Sequence, residues 1–193
     1  MSWIIWGVLI LIVGWVVVTY NGLVALKNQI QSAWKQIDVQ LKRRYDLIPN
    51  LVETVKGYMK YEQDTLQTVI DARSRAMAST GVKEAAEAQD ALTRSMGKIF
   101  ALVENYPELK ANDNVLRLQE ELATTENQLA FARQYYNDLV MRFNTKQEIF
   151  PSNTIATFFN FKPGVFFAAA EPEKATPRVD LRLEPGAPEK PHN

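Results

Sequence analysis

Apolar residues recur with helical spacing along most of this chain, and no stretch shows the two-residue alternation of a strand. The clearest pattern runs from residue 112 to 149, where apolar side chains fall in steps of three and four across four heptads. Such a row, called a seam below, is typical of coiled-coil packing. We therefore predict one long helix that ends before Pro151. Its seam consists of Val115, Leu118, Leu122, Thr125, Leu129, Ala132, Tyr136, Leu139 and Phe143.

Three further seams precede this one. The first runs from Leu23 to Leu41, and the second begins at Ile48 and ends in the Ala-Ser-Thr-Gly stretch at 78–81. The third covers residues 83–105 and is closed by Pro107. Four seams joined by short loops predict an antiparallel bundle of long helices. The predicted fold class is all-α, with a helical bundle domain at 27–150.

The first 26 residues carry no charged side chain. A bilayer core of about 30 Å needs roughly 20 mostly apolar helical residues, so this segment is long enough to span it. Aromatic residues stand near both ends, as in an aromatic belt. The segment has no basic residue at its start and no good cleavage site, unlike a signal peptide. We predict an uncleaved transmembrane anchor at 1–26, with Trp3, Trp6, Trp15 and Tyr20 as its belt.

Basic residues lie on one side of this segment only. Nothing basic precedes it, whereas Lys27, Lys35, Lys42, Arg43 and Arg44 follow it. The positive-inside rule then places the short N-terminus outside and the C-terminal domain in the cytoplasm. The prediction is a single-pass protein of the cell membrane.

After residue 150 the pattern changes. Residues 151–170 are aromatic and irregular, with Phe158, Phe159, Phe161, Phe166 and Phe167. Two interpretations stay open: a cap that buries these rings on the bundle, or a surface for a partner or the bilayer interface. Residues 171–193 are rich in proline and poor in apolar side chains, which predicts a disordered tail.

Composition narrows the possible chemistry. Lys and Arg balance Asp and Glu at 22 each, there is no cysteine, and His192 is the one histidine. These counts argue against nucleic-acid binding, thiol chemistry and histidine-based catalysis. No catalytic, cofactor or metal site is predicted. The carboxylates lack the inward-facing histidines of a bundle metal site, so we interpret them as a solvated face: Glu104, Glu108, Glu120, Glu121 and Glu126.

The stretch from Gln40 to Tyr58 needs a separate interpretation. Three bases at 42–44 are followed by Asp46 and Pro49. Asp46 is a good N-cap and proline is tolerated in a first turn, so the stretch predicts a junction between two helices. The alternative is a basic cluster that, with Tyr45, binds phosphate or nucleic acid.

Two segments carry a family resemblance. YNGLVALKNQIQSAWKQIDVQLKRRYDLIPNLVETVKGYMKYEQDTLQTVIDAR and LQEELATTENQLAFARQYYNDLVMRFNTKQEIFPSNTIATFFNFKP resemble the two conserved blocks of LemA-family proteins. The chain departs at Phe166 and Phe167, where Ala168 follows instead of an acidic residue. The resemblance implies a single-pass bacterial membrane protein with a helical cytoplasmic domain and no settled activity. Some members accompany membrane zinc metallopeptidases or magnetosome formation, so a metallopeptidase is one partner that the resemblance implies.

These observations favour a protein without enzymatic activity. The first hypothesis is a membrane-anchored scaffold or adaptor that presents a coiled-coil-like rod to membrane or cytoplasmic proteins, or to a second copy of itself. The alternative is a lipid-binding module that remodels the membrane surface through the aromatic run and the basic residues. In both, the bilayer is a partner through the N-terminal helix, and nucleic acid is not.

Overall fold

Every regular element is helical in the computed structural model, which describes residues 2–59 and 61–167. The all-α prediction is therefore confirmed. The predicted disordered tail at 171–193, with His192, lies outside the described residues. The helices are α1 (Ser2–Lys56), α2 (Gln63–Ala78), α3 (Val82–Glu104), α4 (Pro107–Lys110), α5 (Asp113–Glu148) and α6 (Ser152–Phe158).

The bundle is built on α1 and α5, which run antiparallel along each other. Three apolar clusters follow one another along this pair. The cluster farthest from the N-terminus joins the end of α1 to α2, α3 and the start of α5. A middle cluster joins α1 to α5 around Ile37 and Leu129. The third packs Leu23 of α1 against Phe143 of α5 and Ile155 of α6.

Helix α5 has the seam that the sequence predicts. Seven of its nine seam positions are buried, Leu118 and Ala132 being the half-buried exceptions. Asn112 caps the helix, since its side-chain oxygen accepts hydrogen bonds from the backbone N–H groups of Asn114 at 3.0 Å and Val115 at 3.3 Å. Such a cap stabilises a helix by about 0.5–2 kcal/mol. The predicted fourth helix is confirmed.

Helix α1 does not stop where the sequence predicts a junction. It continues through Asp46 and Pro49 to Lys56, so the second helix begins at Gln63 and not at Ile48. The junction prediction is wrong. Apolar residues lie on the core face of α1 both before and after Pro49, and burial of that continuous face outweighs a cost of about 3 kcal/mol for an interior proline.

A neighbouring helix compensates for the proline. Pro49 has no N–H, so the carbonyl of Tyr45 one turn earlier lacks its usual helical partner. Arg73 of α2 donates from Nε to this carbonyl at 2.7 Å. The position where α2 packs on α1 is thus coupled to the proline.

The N-terminal part of α1 is apolar and long enough to cross a membrane. In its most apolar window 6% of the residues are buried, unlike the core helix of a soluble protein. This apolar part extends beyond the bundle, and α6 packs in a cluster with its later residues, including Val16, Tyr20 and Leu23. One candidate membrane span is therefore present in the described part of the chain.

Candidate functional site

An open groove of about 560 Å³ lies between α3 and α5. These two helices pack mainly on α2 and α1, respectively, rather than on each other, and the space between them stays open. The volume is within the range of about 300–1,000 Å³ typical of binding sites. The lining is mostly apolar and includes Met96, Phe100, Val103, Leu116 and Leu122.

Arg44 of α1 lies at one end of this groove. This residue is 4% exposed. Nη1 donates to Oε1 of Gln89 at 3.0 Å, and Nη2 donates to the hydroxyl of Thr93 at 2.9 Å. Nη2 also lies 3.2 Å from a carboxylate oxygen of Glu126. One guanidinium therefore connects α1, α3 and α5.

The same network reaches a fourth helix. Gln89 donates from its amide nitrogen to the hydroxyl of Tyr45, and that hydroxyl donates to the backbone carbonyl of Ala76 on α2 at 3.1 Å. Buried polar groups are costly unless they are hydrogen-bonded. In this network each buried group has a partner, so it fixes the relative positions of four helices.

Burial dominates the electrostatics here. It lowers the pKa of Arg44, while the nearby Glu126 carboxylate raises it and Arg133 lowers it further. Arginine nevertheless stays charged in proteins. Burial also raises the pKa of the Tyr45 hydroxyl, which keeps it neutral at physiological pH. A fixed cation and a neutral phenol suit binding and positioning better than proton transfer near pH 7.

The three predicted bases do not form one cluster. Lys42 and Arg43 are exposed, whereas Arg44 points into the bundle. Successive helical residues point about 100° apart, so three in a row cannot share a face. Neither interpretation of this stretch places Arg44 in the core, where it lies. A signal was present: Arg44 falls between Leu41 and Ile48 in steps of three and four, which is a seam position.

The carboxylates also divide. Glu126 pairs with Arg44 while 38% of its side chain stays exposed, and Glu104 lines the groove. Glu108 and Glu120 are exposed, and Glu121 is half-buried. Among residues 2–59 and 61–167, no group of three or more His, Asp or Glu side chains is placed to hold a metal ion.

A second feature is the strap, residues 161–167, which runs back along α5. Asn144 donates to the carbonyl of Gly164 at 3.0 Å and accepts from its N–H at 2.7 Å. One heptad earlier, Asn137 makes the same pair of bonds with Phe167, at 3.0 and 2.8 Å. Two asparagines thus replace the missing backbone partners of the extended strap.

The aromatic run is divided between the two interpretations. Phe167 is buried beside Trp34, with the Arg133 guanidinium 4.7 Å from its ring centre. Phe161 is half-buried against the third cluster. Phe158, in contrast, is 80% exposed. Phe161 and Phe167 thus pack on the bundle, whereas Phe158 does not.

These features define an all-helical protein in which one apolar N-terminal helix continues into an antiparallel bundle. Sequence comparison gives the family. The LemA family model matches residues 33–181, and this chain belongs to the LemA family.

Relatives of the chain carry two kinds of name. Protein LemA of Metamycoplasma hominis is 27% identical over 163 residues, which cover 83% of this chain and 72% of the relative. Magnetosome protein MamQ 2 of Paramagnetospirillum magneticum is 22% identical over 190 residues, covering 85% and 70%. MamQ of Magnetospirillum gryphiswaldense is 21% identical over 195 residues, covering 86% and 72%. None of these names denotes an enzyme, and together with the apolar helix they indicate membrane association.

Proposed function

We propose that this protein is a non-enzymatic, membrane-anchored scaffold whose helical rod holds the α3–α5 groove for a segment of a partner protein. The groove carries the proposal. Its mostly apolar lining is open to solvent, and an amphipathic helix placed there would bury Phe100 and Leu116. The magnetosome relatives support a role at a membrane.

The rod is proposed to lie in the cytoplasm, with the short N-terminus outside. Lys27 follows the apolar segment, and the fold brings Lys146 to the same level, where its ammonium group lies over Gly22 of α1. Basic residues beside a span favour the cytoplasmic side. Protease added to intact cells should spare the bundle, and protease added to lysed cells should digest it.

A photo-cross-linking residue at Leu116 tests the groove in living cells. Gly97 also lines the groove, and a Cβ added there meets no atom within 4 Å. Gly97→Leu should therefore fill the groove without disturbing the fold, and a helical glycine replaced by leucine gains roughly 0.5–1 kcal/mol. The matched control is Ala91→Leu, which adds a similar side chain to another exposed face of α3.

The expected result is a cross-linked partner protein that is lost in Gly97→Leu and kept in Ala91→Leu. Equal cross-linking in both variants would show that the partner binds elsewhere. If the chain with the photo-cross-linking residue at Leu116 and neither leucine substitution gives no cross-link, the scaffold proposal is contradicted. A cross-link only to a second copy of this chain would mean that the groove serves self-association and not a partner protein.

A further inference from the structure

The corner between α5 and α6 exposes large apolar side chains at one particular level of the rod. Phe150 is 84% exposed and Phe158 is 80% exposed, and Ile149 between the helices is also exposed. We call residues 149–158 the foot. Scattered apolar residues on a surface are ordinary, but two phenylalanines eight positions apart that are each at least 80% exposed are not.

The position of the foot along α1 follows from its contacts. Ile155 packs in the cluster that includes Val16 and Tyr20, and the ring of Phe159, next to the foot, lies 4.6 Å from that of Tyr20. Trp15 and Phe150 line one shallow groove together. The foot therefore lies against the second half of the apolar segment.

That level coincides with a bilayer interface. If Trp3 marks the far interface, a hydrocarbon core of about 30 Å ends roughly 20 residues later, near Gly22. Val16 and Tyr20 lie on the membrane side of this point. A bundle end fixed there meets the boundary between acyl chains and headgroups, where exposed aromatic rings are favoured.

The side chains at this end of the rod carry an excess of positive charge, which also favours contact with a membrane surface. Residues 15–31 and 139–167 contain four bases, Lys27, Arg142, Lys146 and Lys162, and one acid, Glu148. Arg142 and Lys146 share a groove with Phe150, and Lys162 shares one with Phe159. The bases at 42 and 43 lie over 20 residues farther along α1 and contribute nothing here. An excess of positive charge beside exposed aromatic rings complements anionic headgroups.

We infer that the foot, with its basic residues, inserts into the headgroup region of the bilayer that α1 spans and prefers anionic phospholipid. The bundle then contacts the membrane at two points, the anchor and the foot, and is held at a fixed angle to it. This inference depends on the anchor in the proposed function but not on the groove.

The absence of cysteine allows a direct test on the full-length chain. Single variants Phe150→Cys and Phe158→Cys are labelled with an environment-sensitive fluorophore, as is Phe131→Cys. Phe131 is a matched control because it is 73% exposed and lies mid-rod on α5. Each protein is reconstituted into phosphatidylcholine vesicles with and without phosphatidylglycerol, and brominated lipid serves as the quencher.

Labels at both foot positions should shift to the blue and be quenched several-fold more strongly than the label at Phe131. Quenching at Phe158 should increase with phosphatidylglycerol. In a variant with Arg142→Gln, Lys146→Gln and Lys162→Gln, quenching at Phe158 should no longer depend on anionic lipid.

Two results at the foot would overturn the inference alone: labels as exposed to water as the one at Phe131, or labels shielded from water yet not quenched by lipid. The second would mean that protein, such as a second copy, covers the foot. Loss of the chain from vesicles in an alkaline carbonate wash would overturn the anchor itself, and the inference with it. Circular dichroism of each variant checks that the bundle is intact.

Discussion

Replacing Arg44 by methionine should reduce the free energy of unfolding by about 1–3 kcal/mol, and one contact accounts for most of this. Gln89 is fully buried and loses the donor to its side-chain oxygen, and an orphaned buried acceptor costs about 1–3 kcal/mol. Thr93 is exposed and the Glu126 side chain is 38% exposed, so both regain water and add little. Methionine keeps the aliphatic volume of the arginine stem.

A second substitution tests whether the cost comes from the orphaned oxygen of Gln89 or from the loss of the arginine charge. Gln89→Leu in the Arg44→Met background removes the orphaned oxygen, so most of the lost stability should return. Replacement of a whole buried polar group by apolar side chains is often neutral. Tyr45 keeps its bond to the carbonyl of Ala76 in this double variant. The two substitutions should therefore be strongly non-additive.

Chemical unfolding of the full chain in detergent micelles, followed by helical circular dichroism, measures these differences. Arg43→Met is the matched control, since this neighbouring arginine is exposed and should change stability by less than about 0.5 kcal/mol. Equal stability of the Arg43 and Arg44 variants would refute the buried network. A double variant less stable than Arg44→Met would refute the assignment of the cost to Gln89.

Three further predictions concern other parts of the fold. Arg73→Ala should lower the free energy of unfolding by about 1–3 kcal/mol, because the carbonyl of Tyr45 loses its hydrogen-bond partner. The loss should be smaller in a Pro49→Ala background, where the restored backbone N–H supplies a partner. A double-mutant cycle that shows no coupling between the two positions would contradict this. Asn144→Ala should speed exchange of the Gly164 amide hydrogen in full-length protein while helical amides of α5 stay protected, and unchanged Gly164 exchange would contradict the strap contact. Because burial raises the pKa of Tyr45, the unfolded chain loses this proton first as pH rises above about 10, so stability should fall there. Tyr45→Phe should flatten that fall in unfolding titrations, and an unchanged alkaline slope would show that Tyr45 is not its source.

Local rules predict the helices well and fail at one proline. The third predicted helix, 83–105, matches Val82–Glu104, and the fourth matches α5 to within a residue at each end. At the start of α5 the capping residue Asn112 and the seam agree. At Asp46 and Pro49 they conflict, because the residues are typical of a helix start while the seam continues in register. The helix continues in register, because burying the apolar residues on that face stabilises it by more than one proline costs.

The candidate site was harder to predict because its partners are distant in sequence. Arg44 and Gln89 are 45 residues apart, and Glu126 comes from yet another helix. No local pattern pairs them. What the sequence does show is polar residues at seam positions, Arg44 in α1 and Gln89 in α3. A polar group placed in a core must find partners there, so such positions indicate a buried network even before the partners are known.

The two proposed surfaces are separated by a distance that constrains any partner. The twenty-two residues from Gly22 to Arg44 span about 33 Å of helix, so the groove lies roughly that far from the bilayer interface if α1 stands upright. A partner confined to the membrane could not reach it. The foot narrows this distance further, because α1 alone could tilt in the bilayer, whereas a second contact with the membrane limits that tilt. The proposed scaffold therefore fits a partner whose own helical segment extends beyond the membrane by several helical turns.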